Sequence, residues 1–224
     1  MSKDWIIVED GQCQPCITPR EWDLLASPYR FYRFLTDVED VLKATTTPHE
    51  CDCLPALRRL VRKLVINSYW LRSLAEKAVL LQCPTPNLSS FQPASSTSVG
   101  SSETTLLNLY DETGFPLTVQ IETHLPGAVS PIHSHGTWGI VAVLQGQEKN
   151  SLWKRQPEPL LPDNISCVGE KVFEYGDIIS FMPTAIHSIE SIGIEPLVTF
   201  NLYGETNRKQ RFVFNAIAHQ AKHY

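Results

Sequence analysis

The sequence predicts a mainly β protein, a jelly-roll barrel (double-stranded β-helix) with an α-helical N-terminal extension. After Thr104, short runs rich in β-branched and aromatic residues alternate with polar positions, and turn residues separate the runs. Between residues 21 and 81, apolar residues instead recur at three- and four-residue steps. We therefore expect a helical region at 1–82 that packs on the barrel, a Pro/Ser/Thr-rich linker or loop at 83–104, and the barrel at 105–224.

The helical pattern predicts two or three helices. A first set of apolar residues lies between 24 and 35, and the run 54–72 repeats the spacing with basic residues on its other face. These helices are expected to cover the barrel or an open sheet edge. The expected barrel strands are the runs 118–124, 139–144, 178–181, 197–203 and 211–215.

Composition and charge exclude several classes of partner. The chain has 19 Lys and Arg against 24 Asp and Glu, a net charge of -5, and no basic run with interleaved aromatic residues, so no nucleic acid partner is expected. The N-terminus lacks the basic start and apolar core of a signal peptide, and no apolar run has the length of a membrane span. We expect a cytoplasmic protein with no membrane partner; the sequence leaves the oligomeric state open.

Six cysteines without an export signal are expected to be reduced thiols. Four of them, with His49 nearby, offer an alternative as thiolate ligands of a structural zinc: Cys13, Cys16, Cys51 and Cys53. The spacing Cys-x-Cys is a poor half-site for tetrahedral zinc, so ordinary thiols are the favoured interpretation.

Three histidines predict a metal site. His133 and His135 are two residues apart, so on a strand both imidazoles point to one face. His187 follows a strand and a Pro-containing turn, from which a neighbouring strand can bring it to the same point. Imidazole triads accept iron, nickel, zinc and copper, so the residues alone do not choose the metal.

The glycines and histidines around this site resemble the paired motifs of the cupin superfamily. The first motif is matched by Gly127, His133, His135 and Gly146, and the second, more loosely, by Gly176, Pro183 and His187. The position of the usual cupin glutamate is filled by Gly139. Three neutral imidazoles without this acid leave the full dipositive charge of a metal and open positions on one side.

Within the cupins, the sequence most resembles the thiol dioxygenases, such as cysteine dioxygenase and 3-mercaptopropionate dioxygenase. Residues 131–139 match the motif Pro-x-His-x-His-x-Thr-Trp-Gly of many of these enzymes, and residues 144–146 match the Leu-x-Gly that follows it. The resemblance covers about residues 105 to 215. It implies an Fe(II) cofactor, with nickel or zinc as substitutes in a purified sample, and a small thiol such as cysteine or a mercapto acid that O2 oxidises to a sulfinic acid.

The resemblance also implies residues around the metal. Tyr203 corresponds to the family's catalytic tyrosine, while Thr199 and Asn201 replace the serine and histidine of its hydrogen-bonding relay. Asn can hold a phenol by a hydrogen bond but cannot shuttle a proton as imidazole does. Trp138 is expected in the pocket wall beside the site.

A substrate carboxylate calls for an arginine, because the guanidinium fork matches its two oxygens. The strand run 104–111 contains none, which leaves Arg208 or Arg211 as alternatives, each by default a solvated surface charge. The altered relay keeps two other functions open: a metal-binding cupin that binds or senses a small molecule without turnover, and a cupin isomerase or carbon dioxygenase.

Overall fold

The structure is a computed structural model that describes residues 4–16, 29–45, 52–67, 69–82, 104–111 and 117–223. Its helices are α1 (Phe31–Ala44), α2 (Leu54–Asn67) and α3 (Tyr69–Gln82). Its strands are β1 (Asp4–Ile7), β2 (Cys13–Cys16), β3 (Thr104–Asp111), β4 (Leu117–His124), β5 (Ile132–Ser134), β6 (Gly139–Gln145), β7 (Gln147–Arg155), β8 (Ile165–Glu174), β9 (Ile178–Phe181), β10 (Ile186–Ile192), β11 (Leu197–Gly204), β12 (Phe212–Asn215) and β13 (Gln220–His223).

The strands form two sheets that pack face to face as a β-sandwich. One sheet has the order β2-β1-β9-β6-β11-β4-β3 and the other β13-β12-β5-β10-β7-β8. Apolar side chains of both sheets meet between them, among them Val141 of β6, Leu152 of β7 and Phe173 of β8. The predicted mainly β jelly roll with helices is confirmed.

The helices cover the outer face of the seven-stranded sheet. Side chains alternate between the two faces of β11. Phe200 and Leu202 point to the helices, and Thr199, Asn201 and Tyr203 point to the barrel interior. The ring of Phe34 from α1 meets Phe200 edge-on at 5.9 Å. β11 is therefore buried on both sides, which fixes its register and the position of its inward residues.

Residues 4–16 differ from the expected helical region at 1–82. β1 pairs in parallel with β9 and forms a hairpin with β2, so the N-terminus extends the barrel sheet. Arg62 of α2 anchors this strand, because it pairs with the buried Asp4 and donates a hydrogen bond to the carbonyl oxygen of Gly176 at 2.6 Å. A strand of four residues is too short to show a period of its own, and its pairing partner is distant in sequence. The expected linker at 83–104 lies outside the described residues except for Thr104, which begins β3.

The described cysteines do not form the alternative zinc site. Cys13 contacts the core between the sheets, while Cys53 is buried in the core under the helices. Cys51 and His49 lie outside the described residues. Burial raises the pKa of Cys13 to about 11, so this side chain is a neutral thiol at neutral pH. Within the part of the chain that the structure describes, no helix combines the length and the apolar character that crossing a membrane requires.

Candidate metal centre

The three predicted histidines meet at one end of the six-stranded sheet. His133 lies on β5 and His187 on β10, and the antiparallel register places these two residues directly opposite each other. His135 follows β5 on the same face as His133. The ring centroids lie 4.6 Å apart for His133 and His187 and 5.0 Å apart for His135 and His187.

The ligand atoms of these side chains are close enough to share one ion. One ring nitrogen of each histidine lies within 4.8 Å of the others, and the Nε2 atoms of His135 and His187 are 2.8 Å apart. Nitrogen ligands lie about 2.0–2.1 Å from a divalent ion such as zinc, so this separation is compatible with two adjacent ligand positions. Among the described residues this is the only group of three or more histidine, cysteine or acidic side chains placed in this way.

Hydrogen bonds and burial keep these imidazoles in a form that fits a metal. The Nδ1–H of His133 donates to the carbonyl oxygen of Pro131 at 2.9 Å, and that of His187 donates to Oδ1 of Asn150 at 2.7 Å, which leaves both Nε2 lone pairs for an ion. Burial lowers the pKa of His133 and places the pKa values of His135 and His187 well below their ordinary range. The rings are therefore neutral and can ligate a cation near neutral pH.

Tyr203 fills the space beside Gly139. The two residues pair across β6 and β11, and a Cβ at position 139 would lie 2.8 Å from ring carbons of Tyr203. The phenol ring stacks on His135 with centroids 4.9 Å apart. Burial, followed by the carboxylates of Glu122 and Glu148, raises the pKa of Tyr203 well above its usual value, so the phenol keeps its proton.

The other two relay positions face the same interior but make different bonds. The Nδ2 group of Asn201 donates to Oγ1 of Thr199 at 3.1 Å and to Oε2 of Glu122 at 3.5 Å. Neither acceptor is the hydroxyl of Tyr203. Thr199, Asn201 and Tyr203 thus share a face as the alternation predicts, while the amide of Asn201 is directed to Glu122.

The two candidate arginines differ in position. Arg208 is exposed, and its carbonyl oxygen accepts a hydrogen bond from His223 Nδ1 at 3.2 Å. Arg211 is half-buried, and its positive charge contributes to lowering the pKa values of His133 and His135. Of the two alternatives, Arg211 is the one whose charge acts on the histidines.

Gly136 explains how Arg211 reaches this position. It follows His135 with a φ of +66°, and a Cβ there would lie 2.6 Å from the carbonyl oxygen of Asn207 and 2.9 Å from the backbone nitrogen of Arg211. The segment that carries Arg211 therefore packs directly on the turn after the first two ligands. Trp138 is buried in the core shared with the helices, where its indole packs against Gly204.

Behind the histidines lies a buried polar pair that the sequence did not predict. Glu148 and Asn150 of β7 are almost fully buried, and Asn150 Nδ2 donates to Oε1 of Glu148 at 2.6 Å. Burial raises the pKa of Glu148 to about 7. The available signal was the alternation Glu148, Asn150, Leu152, which places two polar residues on the face where a barrel strand usually carries apolar ones.

On β4, the buried His124 lies beside the partly exposed Glu122. His124 Nε2 lies 3.3 Å from Oε1 of Glu122, and Thr104 Oγ1 lies 2.9 Å from Nδ1 of the same ring. This histidine belongs to the polar interior of the barrel and is not part of the triad.

No family model matches the chain, and none of the curated proteins matches it in sequence. The matched solved structures include cupin domains. The cupin domain of Schizosaccharomyces pombe Cnp3 is 14% identical over 46% of this chain and 61% of that chain, with a TM-score of 0.37. A cupin superfamily protein from Desulfitobacterium hafniense is 10% identical over 46% of this chain and 79% of that one, with a TM-score of 0.36. The DMSP lyase DddQ from Ruegeria pomeroyi is 16% identical over 46% and 47%, with a TM-score of 0.35.

Proposed function

We propose that this protein is a non-haem iron(II) dioxygenase that oxidises a small thiol carboxylate, such as cysteine or a mercapto acid, to its sulfinic acid. The observations that support the proposal are three neutral imidazoles, a glycine in place of the acidic ligand, the ring of Tyr203 stacked on His135, and the positive charge of Arg211 acting on His133 and His135. This combination suits a substrate that brings its own negative charge to the metal.

The ligand set determines the kind of substrate. Three neutral ligands leave the dipositive charge of the ion uncompensated, which favours an anionic ligand that can occupy the open positions. Iron(II) bound here would supply the redox chemistry by which both atoms of O2 are added to sulfur. The reaction RSH + O2 → RSO2H is balanced without a further reductant.

Residues of the chain would orient the substrate and exclude water. The guanidinium of Arg211 would bind the carboxylate through paired hydrogen bonds. The protonated phenol of Tyr203 would donate a hydrogen bond to an oxygen or sulfur atom of the bound ligand. The ring of Phe181 packs 5.6 Å from His135 and 4.4 Å from His187, which limits the access of water to that side of the ligands.

Oxygen uptake by the iron-loaded protein tests this function. Cysteine and 3-mercaptopropionate should consume one O2 for each sulfinate formed, while cysteamine, which has no carboxylate, should gain nothing from Arg211. The variant Arg211→Lys should raise KM for the two carboxylated thiols and leave cysteamine unchanged, because the ammonium loses the paired geometry. Arg208→Lys is the matched control. A protein with stoichiometric iron that consumes no oxygen with any of these thiols would refute the proposal.

One observation favours a second candidate, a metal-binding cupin that binds a small molecule without turnover. The amide of Asn201 is engaged with Glu122 and Thr199, and an amide at this relay position cannot move a proton to or from Tyr203. This candidate predicts that 3-mercaptopropionate binds to the iron-loaded protein, with a change in its visible spectrum, while oxygen consumption stays at the background rate.

A further inference from the structure

Two buried side chains of β7 form a hydrogen-bonded chain that ends on His187. β7 pairs along its length with β10, which carries His187, and it turns Glu148 and Asn150 towards the barrel interior. The exposed fraction of Asn150 is 0% and that of Glu148 is 2%, so their polar groups require partners within the protein. Asn150 bridges the two, since Oδ1 accepts from His187 Nδ1 at 2.7 Å and Nδ2 donates to Glu148 Oε1 at 2.6 Å.

The direction of these bonds follows from the chemistry of the carboxylate. The NH2 end of Asn150 faces Glu148 in the structure, and above the Glu148 pKa of about 7 the ionised carboxylate, which only accepts hydrogen bonds, holds it there. The amide oxygen then faces His187 and accepts a proton that lies on Nδ1, which leaves the lone pair on Nε2, 2.8 Å from Nε2 of His135. A reversed amide would present its NH2 group to Nδ1 and favour a proton on Nε2, where it would block metal binding.

We propose that Glu148 and Asn150 are positioning residues that hold His187 in its metal-binding tautomer. The inference rests on the metal centre of the proposed function and not on a thiol substrate or on turnover. It distinguishes two ligands of the same centre. His133 is held by the backbone carbonyl of Pro131, which no side-chain replacement removes, whereas His187 depends on an amide that can turn around.

The tautomers can be measured in the metal-free full-length chain by long-range 1H–15N NMR of the imidazole rings, at a pH above the Glu148 pKa of about 7 so that this carboxyl is ionised. In the wild-type protein, His187 should carry its proton on Nδ1. Glu148→Gln should give a mixture of tautomers at His187, because the new amide can accept or donate and no longer fixes the direction of Asn150. His133 should keep its proton on Nδ1 in both proteins and serves as an internal control.

Cobalt(II) titration of the same proteins gives the second readout. Glu148→Gln should weaken cobalt binding about 10- to 100-fold, the usual effect of removing a partner that orients a ligand. The double variant Glu148→Gln/Asn150→Asp keeps the charge of the pair and restores an acceptor-only group facing His187, so it should recover the wild-type tautomer and affinity. Ser191→Ala, a buried change on β10 directly opposite Glu148, should alter neither readout.

Three results would overturn the inference: a proton on Nε2 of His187 in the metal-free wild-type protein, an unchanged tautomer in Glu148→Gln, or no recovery in the double variant. These results are separate from the fate of the proposed function. A chain that follows the expected series but oxidises no thiol would refute the dioxygenase proposal alone. If cobalt does not bind at all, the tautomer populations still decide the inference.

Discussion

Replacing Gly139 by alanine tests whether the ring of Tyr203 occupies the space beside residue 139. The new Cβ would lie 2.8 Å from two ring carbons of Tyr203, whereas Phe181 Cβ would be at an ordinary 3.9 Å. Carbon atoms pack best about 3.5–4.0 Å apart, so the phenol ring must move by roughly 0.7–1.2 Å. Since this ring stacks on His135, the change reaches the metal centre.

The expected effect on stability has two opposing parts. Overpacking a filled core costs about 1–3 kcal/mol. Gly139 lies in β6 without a positive φ, so alanine fits the backbone there. Alanine also lowers the conformational entropy of the unfolded chain, which adds about 0.4–1 kcal/mol to the free energy of unfolding. The difference predicts a loss of up to about 2.5 kcal/mol in the free energy of unfolding. In the background Tyr203→Ala the clash disappears, and the same substitution should stabilise by about 0.4–1 kcal/mol.

The effect is measured by urea unfolding of four proteins: the wild type, Gly139→Ala, Tyr203→Ala and the double variant. All four are kept free of metal, because a bound ion would add its own stabilisation to the folded state. Gly169→Ala is the control, since Gly169 also lies in a strand without a positive φ, and a Cβ added there would have no atom within 4 Å. It should be neutral or slightly stabilising. A Gly139→Ala effect of the same sign with and without the Tyr203 ring would refute the steric argument.

Three further predictions concern the metal, pH and the N-terminal strand. His135→Ala should abolish metal retention, while His219→Ala should keep one equivalent by elemental analysis; retention in the first variant would contradict the ligand set. Burial raises the pKa of Glu148 to about 7 from 4.5, so the folded protein holds this proton more tightly than the unfolded chain does. The free energy of unfolding of the wild type relative to Glu148→Gln, measured with urea, should therefore be highest below about pH 4.5 and fall as pH rises to about 7. A difference that does not change with pH would contradict this prediction. Arg62→Met should cost about 3–5 kcal/mol because it leaves Asp4 buried and unpaired, and Asp4→Asn in the same chain should recover part of this loss; no recovery would contradict the pairing.

The sequence was sufficient to predict features that depend on the alternation of side chains along a single strand. Alternation of two residues predicts that His133 and His135 share a face, and that Thr199, Asn201 and Tyr203 share another, because the pleat of a strand imposes it. The mainly β fold follows from the same period repeated in many short runs. The spacing around His187 also indicated that it would join the first two histidines, as the pairing of β5 and β10 shows.

Features that depend on partners distant in sequence were not accessible in this way. The pairing of β1 with β9 joins residues 4–7 to residues 178–181 and is supported by Arg62 of α2, and no local period marks it. The choice between Arg208 and Arg211 depends on the packing of residues 207–211 against Gly136. The role of Asn150 depends on the register of β7 with β10.

By itself, the sequence determined that the chain forms a mainly β jelly roll with helices and carries three histidines in positions to converge, because strand period and motif spacing act over short distances along the chain. The tertiary structure alone decided what surrounds those histidines. It places the ring of Tyr203 beside Gly139, directs Asn150 to His187 and packs the backbone of Arg211 against Gly136. These contacts depend on the register of paired strands and on the packing of side chains from different strands. Both involve several segments at once, so the sequence of one segment does not determine them.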